Sequence, residues 1–175
     1  LFSFLFSMSS KLIDQFFRTL GPQRDDVRLG VGDDGAVLSP RPGHELVAVV
    51  DTLLEGVHFP ALSPAASIGH RALAVNLSDI AAMGAEPAWA LLALTLPHAD
   101  TDWLAEFARG FGALARSAGV SLVGGDTTAG PLSVSVTVLG FVPLGAALRR
   151  DGAHPGDLLF VSGTPGDAAR GLRHE

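Results

Sequence analysis

The sequence contains no cysteine. That excludes a disulfide framework, thiolate zinc sites and thiol nucleophiles, and it fits a cytoplasmic protein. Lysine is almost missing too: Lys11 is the only one, and the formal net charge is −6. A basic face of the kind that grips nucleic acid is therefore not expected. No apolar run approaches the length of a membrane span. The phosphate loop of the GxxxxGK[ST] type is absent as well, and with it the lysine that reaches the terminal phosphates. What remains is a globular composition, 47% hydrophobic and 17% charged over 175 residues, enough for one domain with a sizeable core. An acidic chain of this kind can still bind nucleotides if metal ions neutralise the phosphates.

The first seven residues, LFSFLFS, carry no basic residue and make a poor signal peptide. They are expected to be a non-native or disordered extension, with Met8 as the natural start. Apolar positions 12, 13, 16, 17 and 20 form a helical stripe over 11–20, stopped by Gly21 and Pro22. A polar stretch over 23–28 leads into LGVGDDGAVLSP, a glycine-rich turn entering a short strand. Residues 45–51 (ELVAVVD) read as a buried strand with an acid at its end. Ser63-Pro64 opens a helix that runs to Met83, with Gly84 behind it. A strand is expected over 88–96. Asp100 caps a second helix, which Gly119 ends. Residues 120–123 form a short strand delivering Gly124-Gly125-Asp126-Thr127-Thr128, and 132–142 alternates as a half-buried strand. Another short strand is expected over 157–162, after a linker-like stretch over 145–156.

Acids recur in glycine-rich turns and at strand ends. Asp33 and Asp34 repel each other unless solvated or bound to a cation, and Gly32 and Gly35 beside them let backbone amides approach a ligand. An ordinary Asp-rich turn is the alternative. Asp79 faces the negative end of its helix dipole, a cost of a few tenths to about 1 kcal/mol that a cation would remove. Asn76 stands three residues before it. Gly125, Asp126 and the threonines after them are the parts of a phosphate cradle, or of a hairpin turn. Neutralising charge must then come from metal ions, helped by arginines such as Arg149 or Arg150. Asp51, Glu55 and His58 share one loop region. Magnesium takes hard oxygen ligands, usually one or two carboxylates per ion with phosphate oxygens and water. Carboxylates from separate strand and helix ends could therefore surround a triphosphate.

These residues sit in segments whose combination is specific. GVGDDGAVL (30–38), VDTLLEGVHF (50–59), RALAVNLSDIAAMGAEPAW (71–89), LVGGDTTAGPLSVSVTVLGFVP (122–143) and the PGD and SGTPGD segments (155–157, 162–167) follow one another. In that order and spacing the chain resembles the thiamine-monophosphate kinases. These belong to the superfamily of aminoimidazole ribonucleotide synthetase and selenophosphate synthetase. The resemblance covers essentially all of 8–175. It implies an α/β (α+β) fold, the N-terminal domain of the aminoimidazole ribonucleotide synthetase-like fold: a mixed sheet with flanking helices, whose strands pair across a homodimer. It implies transfer of the terminal phosphoryl of ATP to thiamine monophosphate, giving thiamine diphosphate and ADP, with no protein nucleophile. Carried over motif by motif, Asp34, Asp51, Asp79 and Asp126 are magnesium ligands. Gly125, Asp126 and Arg150 contact ATP, and His58 lines the thiamine-phosphate site. The role of Asp33 stays open. Relatives often carry Ser-Thr or Ser-Val before the acid of the second motif, whereas Val49 and Val50 here offer only backbone carbonyls.

The same resemblance divides the chain into the extension 1–7, an ATP- and magnesium-binding dimerisation domain over 8–144, and a linker with the start of a C-terminal domain over 145–175. Neither nucleic acid nor a membrane is an expected partner. Two other readings compete. One is another ATP-dependent synthetase of the superfamily, of the selenophosphate or aminoimidazole ribonucleotide type, although VDTLLEGVHF favours the kinase. The other is a non-catalytic nucleotide-binding or dimerisation module.

Overall fold

The structure, a computed structural model, describes residues 11–161 and 163–172. The extension at 1–7 and the start expected at Met8 lie outside the described residues.

The chain opens with one widened helical turn, α1 (Ile13–Phe17). The Arg18 amide there donates to the Ile13 carbonyl at 3.1 Å, a π-type bond. The stripe expected over 11–20 is thus a shorter, wider helix that buries Phe17. A two-stranded ribbon follows, β1 (Val27–Leu29) antiparallel to β2 (Val37–Leu38). β1 overlaps the end of the stretch that reads as polar.

The main sheet has the order β3-β6-β4-β5. Its strands are β3 (His44–Leu54), β4 (Glu86–Leu96), β5 (Ser121–Ala129) and β6 (Ser133–Pro143). β6 runs antiparallel to both β3 and β4, while β4 and β5 are parallel. The expected mixed sheet is therefore present. Parallel neighbours need a crossover, and helix α3 (Thr101–Ala118) provides it. Helix α2 (Ala65–Ala82) packs on β3 and β6 and against α3.

Both helices follow from local chemistry. Asp100 caps α3 as expected: its carboxylate accepts from the amides of Asp102 and Trp103, each at 3.0 Å. Ser63 does not cap α2, which starts one residue past Pro64 with no side-chain cap. Leu104, Phe107, Phe111 and Ala115 form the buried stripe of α3. They meet Leu73 and Ile80 of α2 and Val134, Val136 and Val138 of β6, all fully buried. Burial contributes about 1.5–3 kcal/mol for each large side chain.

The other sheet face is open among the described residues. Leu46, Val50 and Leu54 of β3 and Leu91 of β4 are exposed there, Val50 by 64%. A second, small core gathers Ala88, Trp89, Val123 and Phe141 with Val27, Ala36 and Leu38 of the ribbon. Trp89 meets Phe141 edge-on, with ring centres 5.0 Å apart.

After β6 the chain runs through exposed turns. Of the strand expected over 157–162, residue 162 lies outside the described residues and 157–161 form no strand, because among the described residues no neighbouring strand takes up their backbone groups. Leu158, Leu159, Phe160 and Val161 stand exposed. A short helix, α4 (Asp167–Leu172), ends the described region. Among the described residues no helix is long and apolar enough to cross a membrane.

Candidate functional site

Three elements enclose one cleft of about 480 Å³. The first is β5. The sequence presents 124–128 as a loop, yet these residues continue the strand, parallel to β4. The register slips between Ala90 and Leu91, so that Val123 bulges out and Gly124 pairs with Leu91. Gly125 then has φ +149°, and a Cβ there would strike the Leu92 backbone. Only glycine allows this close approach, which leaves backbone as one floor of the cleft. Asp126 and Thr127 follow it on the rim.

The second element is the loop between β1 and β2, which brings Gly32, Asp33 and Asp34 to the same cleft. Asp33 is not idle: its carboxylate accepts from the Asp34 amide at 2.8 Å, fixing the turn. Neither Asp34 nor Asp126 has an ion-pair partner among the described residues. The third element is α1, which contributes Ile13, Phe17 and Arg18. Hard carboxylate oxygens on a glycine-lined backbone suit magnesium, which keeps water and phosphate ligands and needs no all-protein cage.

The remaining candidate residues stand elsewhere. Asp51 lies inside β3, at the far edge of the sheet, because β3 continues to Leu54. Its register row runs through Val136 and Leu92 to Gly125. That separation is three strand spacings, about 14 Å. Val49 and Val50 pair in mid-strand with Val138 and Thr137. Asp79 is exposed in the last turn of α2, while Asn76 is fully buried. The Asn76 amide donates to the Ala72 carbonyl at 3.0 Å, and its Oδ1 has no partner.

His58 is exposed beyond β3. Its Nδ1 accepts from the Leu54 amide at 3.0 Å, so that the neutral ring carries its N–H on Nε2. Its carbonyl accepts from Arg71 at 2.7 Å. Its neighbour Phe59 lines a second cleft of about 660 Å³, between the start of α2 and α3. Arg149 pairs with Asp151 at 2.7 Å, and Arg150 is exposed beside it; neither lines the first cleft. The structure thus brings together Asp33, Asp34, Gly125 and Asp126, and holds Asp51, Asp79, His58 and Arg150 apart from them. Among the described residues no three His, Asp or Glu side chains form a metal site by themselves.

Sequence reasoning missed two groups. One is Arg18, the cation on the cleft wall. The other is a clamp behind it. Arg24 donates twice to Asp26, at 2.9 and 2.7 Å, and once to the Gly119 carbonyl at 2.9 Å. The Trp89 indole N–H donates to Asp26 at 2.9 Å. The Arg24 guanidinium holds the Asp26 carboxyl below the usual carboxylate range against the opposing effect of burial, and the Trp89 N–H adds to that. A tryptophan inside a strand needs a partner for its N–H when buried, which was the available signal.

Comparison with known proteins agrees with this architecture. Residues 32–142 match the family model described as AIR synthase related protein, N-terminal domain. The chain is 51% identical over 162 residues to the thiamine-monophosphate kinase of Escherichia coli K12, covering 92% of this chain and 50% of that protein. A crystal structure of thiamine-monophosphate kinase from Stenotrophomonas maltophilia K279a superposes with a TM-score of 0.82 at 58% identity, over 86% of this chain and 48% of that one. AaThiL complexed with AMPPCP and TMP superposes with a TM-score of 0.73 at 28% identity, over 99% of this chain and 51% of that one. The chain spans about half the length of the curated relatives it matches. Because the matched segment exceeds half of the sequence and takes in the main sheet and both packed helices, the chain belongs to the AIR synthase related protein family and carries its N-terminal domain.

Proposed function

We propose that this chain is the nucleotide- and metal-binding half of a kinase that passes the terminal phosphoryl of ATP to thiamine monophosphate, giving thiamine diphosphate and ADP. The observation that carries this reading is the 51% identity to a thiamine-monophosphate kinase across nearly the whole chain. The complex of AaThiL with an ATP analogue and TMP supports it. Phosphoryl transfer of this kind depends on positioning and charge neutralisation rather than on a protein nucleophile. The cleft offers carboxylates and glycine backbone for that task.

In this reading Asp34 and Asp126 hold magnesium directly, and Gly125 presents backbone to the phosphates. When bound, magnesium supplies charge neutralisation to the transferring phosphoryl group. The family resemblance further assigns magnesium to Asp51 and Asp79 and an ATP contact to Arg150, all three standing outside the lining of this cleft. His58, exposed beyond β3, lines the thiamine-phosphate side. Residues 145–175 begin a second domain, and the exposed run Leu158–Val161 packs into it. Two copies associate through the open sheet face, on which Val50, Thr137 and Leu91 stand in one register row. The protein works in the cytoplasm, as the cysteine-free sequence suggests.

The test uses the full-length protein with ATP, magnesium and thiamine monophosphate, with product analysis for thiamine diphosphate. Asp126→Ala and Asp79→Ala are each expected to lower turnover by at least tenfold and to raise the magnesium requirement, an effect of about 1.4 kcal/mol or more on the barrier. Undiminished turnover in both variants would sink the metal-site assignment. Absence of thiamine diphosphate in the parent would sink the substrate.

A further inference from the structure

We propose that Arg18 is the phosphate-binding cation of the cleft, a role resting on the reading of that cleft as the nucleotide site. The cleft walls carry Asp14, Asp33, Asp34 and Asp126, and Arg18 is the one cationic side chain among its lining residues. Metal ions bound by the carboxylates meet a triphosphate from one side only. A fixed positive group on the cleft wall completes its neutralisation.

Three features aim Arg18 at that place. First, the π-type turn of α1 brings the Arg18 amide back to the Ile13 carbonyl, so the side chain leaves the helix at its widened end. Such turns recur at functional sites. The next segment is pinned to the sheet, where the Leu122 amide donates to the Leu20 carbonyl at 3.0 Å. Second, Asp14 pairs with Nε, at 2.9 Å. Among the described residues the two terminal amino groups of Arg18 make no ion pair with any acid other than Asp14. Their four N–H donors form the planar fork that suits phosphate. Third, the guanidinium lies against the acid loop itself. A Cβ at Gly32 would sit 2.6 Å from Arg18 Nη2, and Gly32 has φ +122°. A side chain at position 32 would push the guanidinium away and strain the loop. Asp14 and Gly32 are therefore positioning residues for Arg18.

A purely structural role would tie the terminal amino groups to protein acceptors, or bury the side chain. Arg18 is instead more than half exposed, at 54%, with its fork open to the cleft. Its charge is worth most to a ligand that carries phosphates, and nothing to the nucleoside alone.

The experiment compares binding of AMPPCP and of adenosine to full-length parent, Arg18→Gln, Arg18→Lys and Asp126→Ala, with magnesium in excess. Arg18→Gln is expected to weaken AMPPCP roughly tenfold, the size of one charge-assisted hydrogen bond. Adenosine binding and the melting temperature should stay unchanged. Arg18→Lys should recover part of the loss, because it restores the charge without the fork. AMPPCP binding to Arg18→Gln at parental strength, beside a weakened Asp126→Ala, would overturn the role of Arg18 and leave the cleft reading standing. Equal loss for AMPPCP and adenosine would also overturn it. No loss in either variant would remove the cleft reading, and the role of Arg18 with it.

Discussion

Removing the carboxylate of Asp26 tests whether the clamp behind the cleft stabilises the fold as its geometry indicates. Asp26 accepts three hydrogen bonds, two from Arg24 and one from Trp89. Trp89 is 1% exposed, so Asp26→Ala orphans its N–H, at a cost of about 1–3 kcal/mol. The Arg24–Asp26 pair is largely sheltered, with side-chain exposures of 16% and 24%, and adds roughly 1 kcal/mol after solvent screening. The expected destabilisation is therefore about 2–4 kcal/mol for Asp26→Ala. Asp26→Asn keeps an acceptor for Trp89 and should lose only about 1 kcal/mol. The pH dependence has a definite sign. The folded-state pKa of Asp26 is depressed, chiefly by Arg24, so its stabilisation is present above the unfolded value of about 3.9 and disappears as pH falls through the lower folded value. Urea midpoints measured from neutral pH downward should show the Asp26→Asn deficit shrinking below about pH 4. A deficit of the same size across that range, or an Asp26→Ala loss under about 0.5 kcal/mol, would refute the reasoning.

Two further perturbations address the sheet. Gly125→Ala places a Cβ against the Leu92 backbone at φ +149°, and should cost at least about 2 kcal/mol and abolish AMPPCP binding, measured by thermal melting and calorimetry. Val50→Asp changes an exposed side chain, so monomer stability should move by no more than about 0.5 kcal/mol. In the proposed association of two copies through this face it would nevertheless bury a like-charge pair at a two-fold interface and separate the copies, which light scattering on the full-length protein would show as a halved mass.

Local chemistry made most of the fold legible. The Asp100 cap, the glycines after each helix and the 3.6-residue stripe of α3 place both long helices within a residue or two. Alternation placed β6. The reading failed where tertiary contacts decide. Gly124 and Gly125 look like a loop because their strand partners are a whole helix away in sequence, and only the parallel neighbour β4 holds them extended. Residues 157–161 have strand composition, but composition alone supplies no partner for the ladder. For the site, the acids beside glycines pointed to the cleft because their unusual spacing is visible in one dimension. Arg18 and the Arg24–Asp26–Trp89 clamp were not visible. Their roles come from approaches between separate segments, Arg18 to the Gly32 loop, Asp26 to Trp89 and Arg24 to Gly119.

The position of β6 also sets an order of events. It is the last strand of the sheet in sequence, yet it lies between β3 and β4 and bonds to both. On the ribosome β3 emerges early and has no neighbour until α2, β4, α3 and β5 have all been made. During that interval its backbone edge is a ready template for wrong pairing. Insertion of β6 closes the sheet in one non-local step, the kind that slows folding most. Refolding kinetics should therefore respond to Val136→Ala in β6 more strongly than to an equally destabilising change in α3. Equal responses would show that the helices, not the closing strand, commit the chain.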